Sequence, residues 1–187
     1  MSQIPIRGPL DRAAARMQNA AMTVNEGFKR KPAPDRGGHA GGCQCGAVRY
    51  AISGPLNNPH ICHCRMCQKA FGNYFAALVG SPKENFRWTK GEPGMFRSSS
   101  IVSRGFCRDC GTPLSFAYDD SKFIAVSIGS LDDPAAAVPE NQYGIENRLP
   151  AFELLHGLPG TRTEDDVPPD MMAKLKSRQH PDADISD

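Results

Sequence analysis

From Gly41 to about Leu158 the apolar residues recur in short runs: Ala47–Ile52, Tyr74–Val79, Phe86–Trp88, Ile101–Phe106, Leu114–Tyr118 and Phe123–Ile128. Each run is bounded by Gly, Pro, Asn, Asp or Ser, the pattern of strands joined by turns. In Tyr74–Val79, Phe75, Ala77 and Val79 share one face and Tyr74, Ala76 and Leu78 the other. Both faces are apolar, which predicts a strand packed on both sides. Arg65–Phe71 has room for one or two helical turns, and no long amphipathic helix is present. The expectation is an all-β protein built from small sheets.

The flanks read differently. Residues 1–40 hold seven Lys and Arg against three acids, a net of +4, and read as a mobile basic extension. Its Ala-rich stretch 10–22 would be marginal as an isolated helix. Lys31–Gly42, with Pro32, Pro34 and four glycines, reads as a linker. Residues 41–160 form the expected domain. Residues 161–187 hold seven acids against four Lys and Arg, and read as a disordered acidic tail.

Composition narrows the classes. The chain has 187 residues, enough for one domain with tails, and 40% are hydrophobic. No apolar run approaches the roughly 18 residues of a membrane span. The formal net charge of +2 gives no general attraction to nucleic acid or a membrane surface, and no basic stripe with interleaved aromatics is present. The start lacks an apolar signal core, and Asp11, Glu26 and Asp35 speak against a transit peptide. The expected location is cytoplasmic.

Cysteine carries the chemistry. There are seven, an odd number, all between Cys43 and Cys110. Without an export signal, an odd cluster of thiols is poorly explained by disulfides and well explained by metal. The groups are Cys43-Gln-Cys45, Cys62-His-Cys64-Arg-Met-Cys67 and Cys107-Arg-Asp-Cys110. The last is a CxxC followed by Gly111, which fits a zinc knuckle. A structural zinc ion takes four ligands in a tetrahedron, so Cys107 and Cys110 pair with Cys43 and Cys45. Cys62, Cys64 and Cys67 remain, and three protein ligands leave a fourth position open, as in reactive zinc sites. The alternative is a second structural site closed by His63, another side chain or a partner's ligand. Iron at the four-cysteine group fits the CxC and CxxC spacings less well.

His63 stands between two ligands in an extended segment, so its side chain points away from theirs. A role behind the ligands or on the surface follows. His60 and His156 are unassigned, and Arg108 and Asp109 should face solvent.

The run Gly41-Gly42-Cys43-Gln44-Cys45-Gly46-Ala47-Val48-Arg49-Tyr50 resembles the start of the glutathione-dependent formaldehyde-activating enzyme family, which includes centromere protein V. The resemblance continues through Cys62–Cys67, Lys69–Ala77, Thr89–Pro93, Phe106–Leu114, Ile128–Pro134 and Glu146–Pro150. It covers about Gly41–Pro159 and neither flank. Related sequences often carry an aromatic directly after the proline of the last segment, where this chain has Ala151 before Phe152. The resemblance implies a β-tent fold of small coiled sheets and two Zn2+ ions per chain. It assigns the structural ion to Cys43, Cys45, Cys107 and Cys110 and the catalytic ion to Cys62, Cys64 and Cys67. It also implies carbon–sulfur lyase or synthase chemistry, joining glutathione to formaldehyde or reversing that step.

The expected partners are therefore glutathione, or a similar small thiol, and an aldehyde. The thiol would take the open position of the second site and attack the aldehyde carbon. His63 and Tyr74 are candidates for the proton step. Arg49, Arg65, Lys69, Arg104 and Arg148 are candidates for holding glutathione's carboxylates. The competing class is a non-catalytic interaction module with two structural zinc ions, and a fold by itself does not choose between them.

Overall fold

A computed structural model describes residues 37–182. The basic extension expected over 1–40 lies outside the described residues up to position 36. The described residues divide into two compact units, one holding residues 37–149 with 175–182, the other Pro150–Lys174.

The first unit is built from strands, as the alternating runs require. They are β1 (Gly38–Gly42), β2 (Arg49–Ser53), β3 (Asn57–Cys62), β4 (Ala76–Pro82), β5 (Phe86–Lys90), β6 (Gly94–Ser99), β7 (Val102–Phe106), β8 (Pro113–Tyr118), β9 (Phe123–Ser127) and β10 (Asn141–Tyr143). An α-helix, α1 (Arg65–Phe71), occupies the predicted place. The strands form a three-stranded sheet in the order β1-β2-β5 and a seven-stranded sheet in the order β10-β3-β4-β9-β8-β7-β6. Every pair is antiparallel except β10 on β3.

Every predicted run overlaps a strand. β1, β3, β6 and β10 were not predicted, for a common reason: their sequences, GHAGG, NNPHIC, GMFRSS and NQY, lack apolar alternation. They are strands because a neighbour offers backbone partners. β1, for example, falls within the expected linker but pairs along its length with β2, Gly38 with Ser53 through Gly42 with Arg49.

β4 divides the core, and both of its faces are packed. Val79 joins Tyr50, Ile52, Leu114, Val126, Ile128 and Leu131 between the sheets. Phe86 and Trp88 of β5 close against Tyr50, with ring centroids 5.5 and 6.0 Å away. On the other face, Ala76 and Leu78 pack with Cys67 and partly buried Phe71 of α1. Adjacent residues Leu78 and Val79 thus serve different clusters, the consequence of a two-residue strand repeat.

Two polar devices fasten the three-stranded sheet to the segment after β9. The buried Tyr50 hydroxyl meets Ser130 Oγ at 2.8 Å. Arg49 makes a two-pronged pair with Asp132, Nη1 to Oδ1 at 2.8 Å and Nη2 to Oδ2 at 2.5 Å. The expectation that Arg49 holds a substrate carboxylate is corrected here: its guanidinium already holds Asp132, with 5% of the side chain exposed.

In the second unit, a 3-10 helix spans Pro150–Gly157, and two short helices follow, α2 (Thr163–Asp166) and α3 (Pro169–Lys174). They lie within the stretch expected as an acidic tail. Pro169 opens α3, a position where its missing N–H costs nothing. Further on, His180 N–H donates to Gln44 O at 2.7 Å, tying residues 175–182 to the first unit's β1–β2 turn. No helix of the described residues is long and apolar enough to cross a membrane.

Removing the carboxylate that faces a buried guanidinium leaves the charge uncompensated. Asp132→Ala is expected to cost about 3–5 kcal/mol, read from urea unfolding. A loss under about 1 kcal/mol, the size of a surface pair, would contradict this account of Arg49.

Candidate metal centre

None of the seven cysteines is in a disulfide, and the fold gathers them into two groups. Within each group the sulfurs all lie within 4.8 Å of one another: Cys43, Cys45, Cys107 and Cys110 in one, Cys62, Cys64 and Cys67 in the other.

The four-cysteine group is made by two turns of similar construction. Cys43 and Cys45 lie in the β1–β2 turn, and Cys107 and Cys110 in the β7–β8 turn. In each, the first cysteine's amide reaches five residues ahead, Cys43 N to Val48 O at 2.9 Å and Cys107 N to Thr112 O at 3.0 Å. Its carbonyl takes the amide of the glycine after the second cysteine, Gly46 and Gly111, both at 3.0 Å. Those glycines have φ of 74° and 76°, the left-handed conformation that lets the chain reverse beneath the sulfurs. Val48 N–H also donates to Cys43 Sγ at 3.2 Å. Arg108 and Asp109 at the tip of the second turn face solvent.

The sulfur spacing tests whether a metal fits. Cys43 Sγ is 3.5 Å from Cys45 Sγ, and Cys45 Sγ is 3.8 Å from Cys107 Sγ. The edge of a tetrahedron with zinc–sulfur bonds of about 2.3 Å is ~3.8 Å. A disulfide needs about 2.05 Å. These residues fit a soft tetrahedral ion.

The protons are unevenly held. Burial pushes the Cys107 thiol up to about 12. Burial also acts upward on Cys110, but hydrogen bonds from Thr112 outweigh it and bring the thiol down to about 6. A thiolate beside a thiol is half of a metal site, and metal binding releases the remaining protons.

The three-cysteine group sits on the other face of the seven-stranded sheet. Cys62 ends β3 and pairs in register with Ala76, the first residue of β4. The connection between them carries His63, Cys64 and α1, on which Cys67 is buried. Gln68 fixes this loop, its Nε2 donating to His63 O at 2.9 Å and Asn147 O at 3.0 Å. His63 N–H donates to Tyr143 O at 2.8 Å. At Gly144 a Cβ would lie 2.7 Å from Cys64 N, so the 141–147 segment presses on the ligand loop as only glycine permits. Cys67 is brought down to about 5, first by the hydrogen bond from Cys62 and then by Arg104, against the opposing effect of burial. Cys62 is driven up, first by the proton it shares with Cys67 and then by burial.

His63 belongs to neither sulfur group among the described residues. A surface position for it is excluded, since the side chain is wholly buried. Its Nε2 is 2.9 Å from Gln142 Oε1, and its ring lies 6.1 Å from that of Phe75. Gln142 is 79 residues away along the chain, so nothing local in the sequence could have named it. Tyr74 is 42% exposed. Arg65, Lys69 and Arg148 are exposed, and Arg65 Nη1 donates to Gln68 Oε1 at 3.1 Å. Arg104 is buried, with Nη2 donating to Cys67 Sγ at 3.3 Å. His60 and His156 are outside both groups.

Among curated proteins similar to this chain is one from Schizosaccharomyces pombe named as an uncharacterized lyase, 31% identical over 86 residues. The match covers 45% of this chain and 61% of that protein, so the chain spans less than two thirds of the relative's length. The crystal structure of a Rhodobacter sphaeroides protein is similar at 20% identity and a TM-score of 0.46, covering 55% of this chain and 98% of the other. Residues 38–146 match the family model described as glutathione-dependent formaldehyde-activating enzyme, a span that takes in β1 to β10 and all seven cysteines. The chain belongs to the glutathione-dependent formaldehyde-activating enzyme family.

Proposed function

We propose that the protein is a zinc-dependent carbon–sulfur lyase or synthase that forms or cleaves the adduct of glutathione, or a similar thiol, with formaldehyde or a related aldehyde. One observation carries this reading: two sulfur groups of unequal size, four and three, on opposite faces of one sheet. Cys43, Cys45, Cys107 and Cys110 saturate a tetrahedral zinc and serve structure, whereas Cys62, Cys64 and Cys67 leave one position for an outside ligand. Family membership supports the choice of thiol and aldehyde, and the relative named as a lyase agrees with the reaction class.

When bound, zinc at the three-cysteine group supplies a position that holds a thiol as its thiolate. The chain's own residues hold that position still. Gln68 and Gly144 fix the loop that carries Cys64. The buried His63, turned to Gln142, stiffens the same loop and remains a candidate for the proton step. In the synthetic direction sulfur forms a bond to the aldehyde carbon, the carbonyl electron pair moves to oxygen, and that oxygen takes one proton. Cleavage is the reverse, and neither direction needs an oxidant. Arg65 and Lys69, exposed on the helix that follows Cys64, are the cations proposed to meet glutathione's carboxylates. A reducing cytoplasm is the setting that keeps seven thiols available for metal.

Cobalt substitution tests the open position. Glutathione at millimolar concentration is expected to shift the cobalt bands of the three-cysteine site. Unchanged bands would leave a module with two structural ions as the better reading. The two groups should also separate by mutation. Cys64→Ala is expected to lower the metal count from two ions to one while unfolding stays cooperative. Cys110→Ala should cost about 4 kcal/mol or more, or prevent folding. Equal effects of the two substitutions on stability would contradict the division of roles.

A further inference from the structure

Arg104 is the buried cation of the three-cysteine face, with 6% of its surface exposed. It stands on β7 directly across from Phe116 of β8, and its guanidinium carbon lies 4.9 Å from the centroid of that ring. Nε donates to Ser98 Oγ at 3.0 Å, and Nη2 donates to Cys67 Sγ at 3.3 Å. Nη1 is buried with no hydrogen-bond partner among the described residues. A guanidinium is a rigid fork, so fixing Nε and Nη2 fixes Nη1 as well. A buried donor left without an acceptor is costly and calls for an explanation.

We propose that Arg104 is the counter-ion of the three-cysteine centre, and that its Nη1 is kept for the anionic atom that completes the centre. This rests on the thiol-binding reading given above. Three thiolates with a divalent ion sum to a charge of minus one, and an anionic fourth ligand makes it minus two. Such charge in a partly buried site calls for a cation close by. Arg65 and Lys69, the nearest basic residues in sequence, are exposed. Arg104 meets the need, since the hydrogen bond to Cys67 puts its charge against one ligand and the same fork carries the open donor. The guanidinium is planar and held on three sides, so it positions both groups at once. A lysine would supply the charge without the fork. The four-cysteine group is instead met by the Thr112 hydroxyl at Cys110 and the Val48 amide at Cys43.

The test uses the full chain loaded with cobalt, as wild type, Arg104→Met and Arg104→Lys. Chelator competition gives the affinity of each site, and a glutathione titration of the cobalt bands gives thiol binding. In Arg104→Met the three-cysteine site should lose affinity roughly 10–100-fold, the usual size of a lost outer partner, while the four-cysteine site is unchanged. Arg104→Lys should recover part of the metal affinity but still need about tenfold more glutathione than wild type. Wild-type values for both variants would overturn the proposal. So would equal weakening of both metal sites, which would mark Arg104 as a residue of the fold alone. Absence of a glutathione response in the wild type would remove the thiol-binding reading and the role of Nη1 together. A normal wild-type response with an unaltered Arg104→Met removes only the role of Arg104.

Discussion

Four thiols brought to metal-binding distance by two turns are the constraint on which the rest of the first unit depends. One turn belongs to the three-stranded sheet and the other to the seven-stranded sheet, so an ion held by this group would bolt one sheet to the other. The sheets also share a core around Tyr50, Val79, Leu114 and Val126. Cys43 and Cys107 are part of that core rather than appended to it. Sulfurs this close would have to share protons without a metal, a conflict added to the burial that raises Cys107 and the Thr112 hydrogen bonds that lower Cys110. A divalent ion resolves it by making all four anionic and then neutralising them in part.

The second group, on the far face of β4, has one sulfur fewer. Its surroundings differ in a way that suits an exchanging ligand. The four-cysteine group is bounded by backbone turns. The three-cysteine group is bounded by side chains: Gln68 beside Cys67 and, from distant parts of the chain, Gln142 at His63 and Arg104. Side chains can be tuned for a bound anion without disturbing strand pairing. Tight backbone turns cannot.

Much of this was legible in the sequence, and the boundary is physical. The strands with apolar alternation could be read, since alternation is the mark of a half-buried strand. β1 and β10 could not, as their pairing is decided by neighbours in space and their own residues have little strand character. The cysteine groups were readable because short spacings and tetrahedral geometry leave few combinations. Arg49 and Arg104, two of the five cations named for a carboxylate role, instead face Asp132 and Cys67. The sequence carries no signal for that difference, since both contacts join residues far apart in the chain. For His63 the alternation rule set the ring apart from the ligands, yet it could not foresee a buried partner 79 residues away.

The central claim is that all seven sulfurs are metal ligands, and X-ray absorption at the zinc edge of protein purified without chelator tests it most directly. The account predicts a sulfur shell at about 2.3 Å, with between three and four sulfurs per ion on average. A sulfur shell accounting for only a single four-cysteine ion per chain, or sulfur spectra dominated by disulfide at about 2.05 Å, would contradict it.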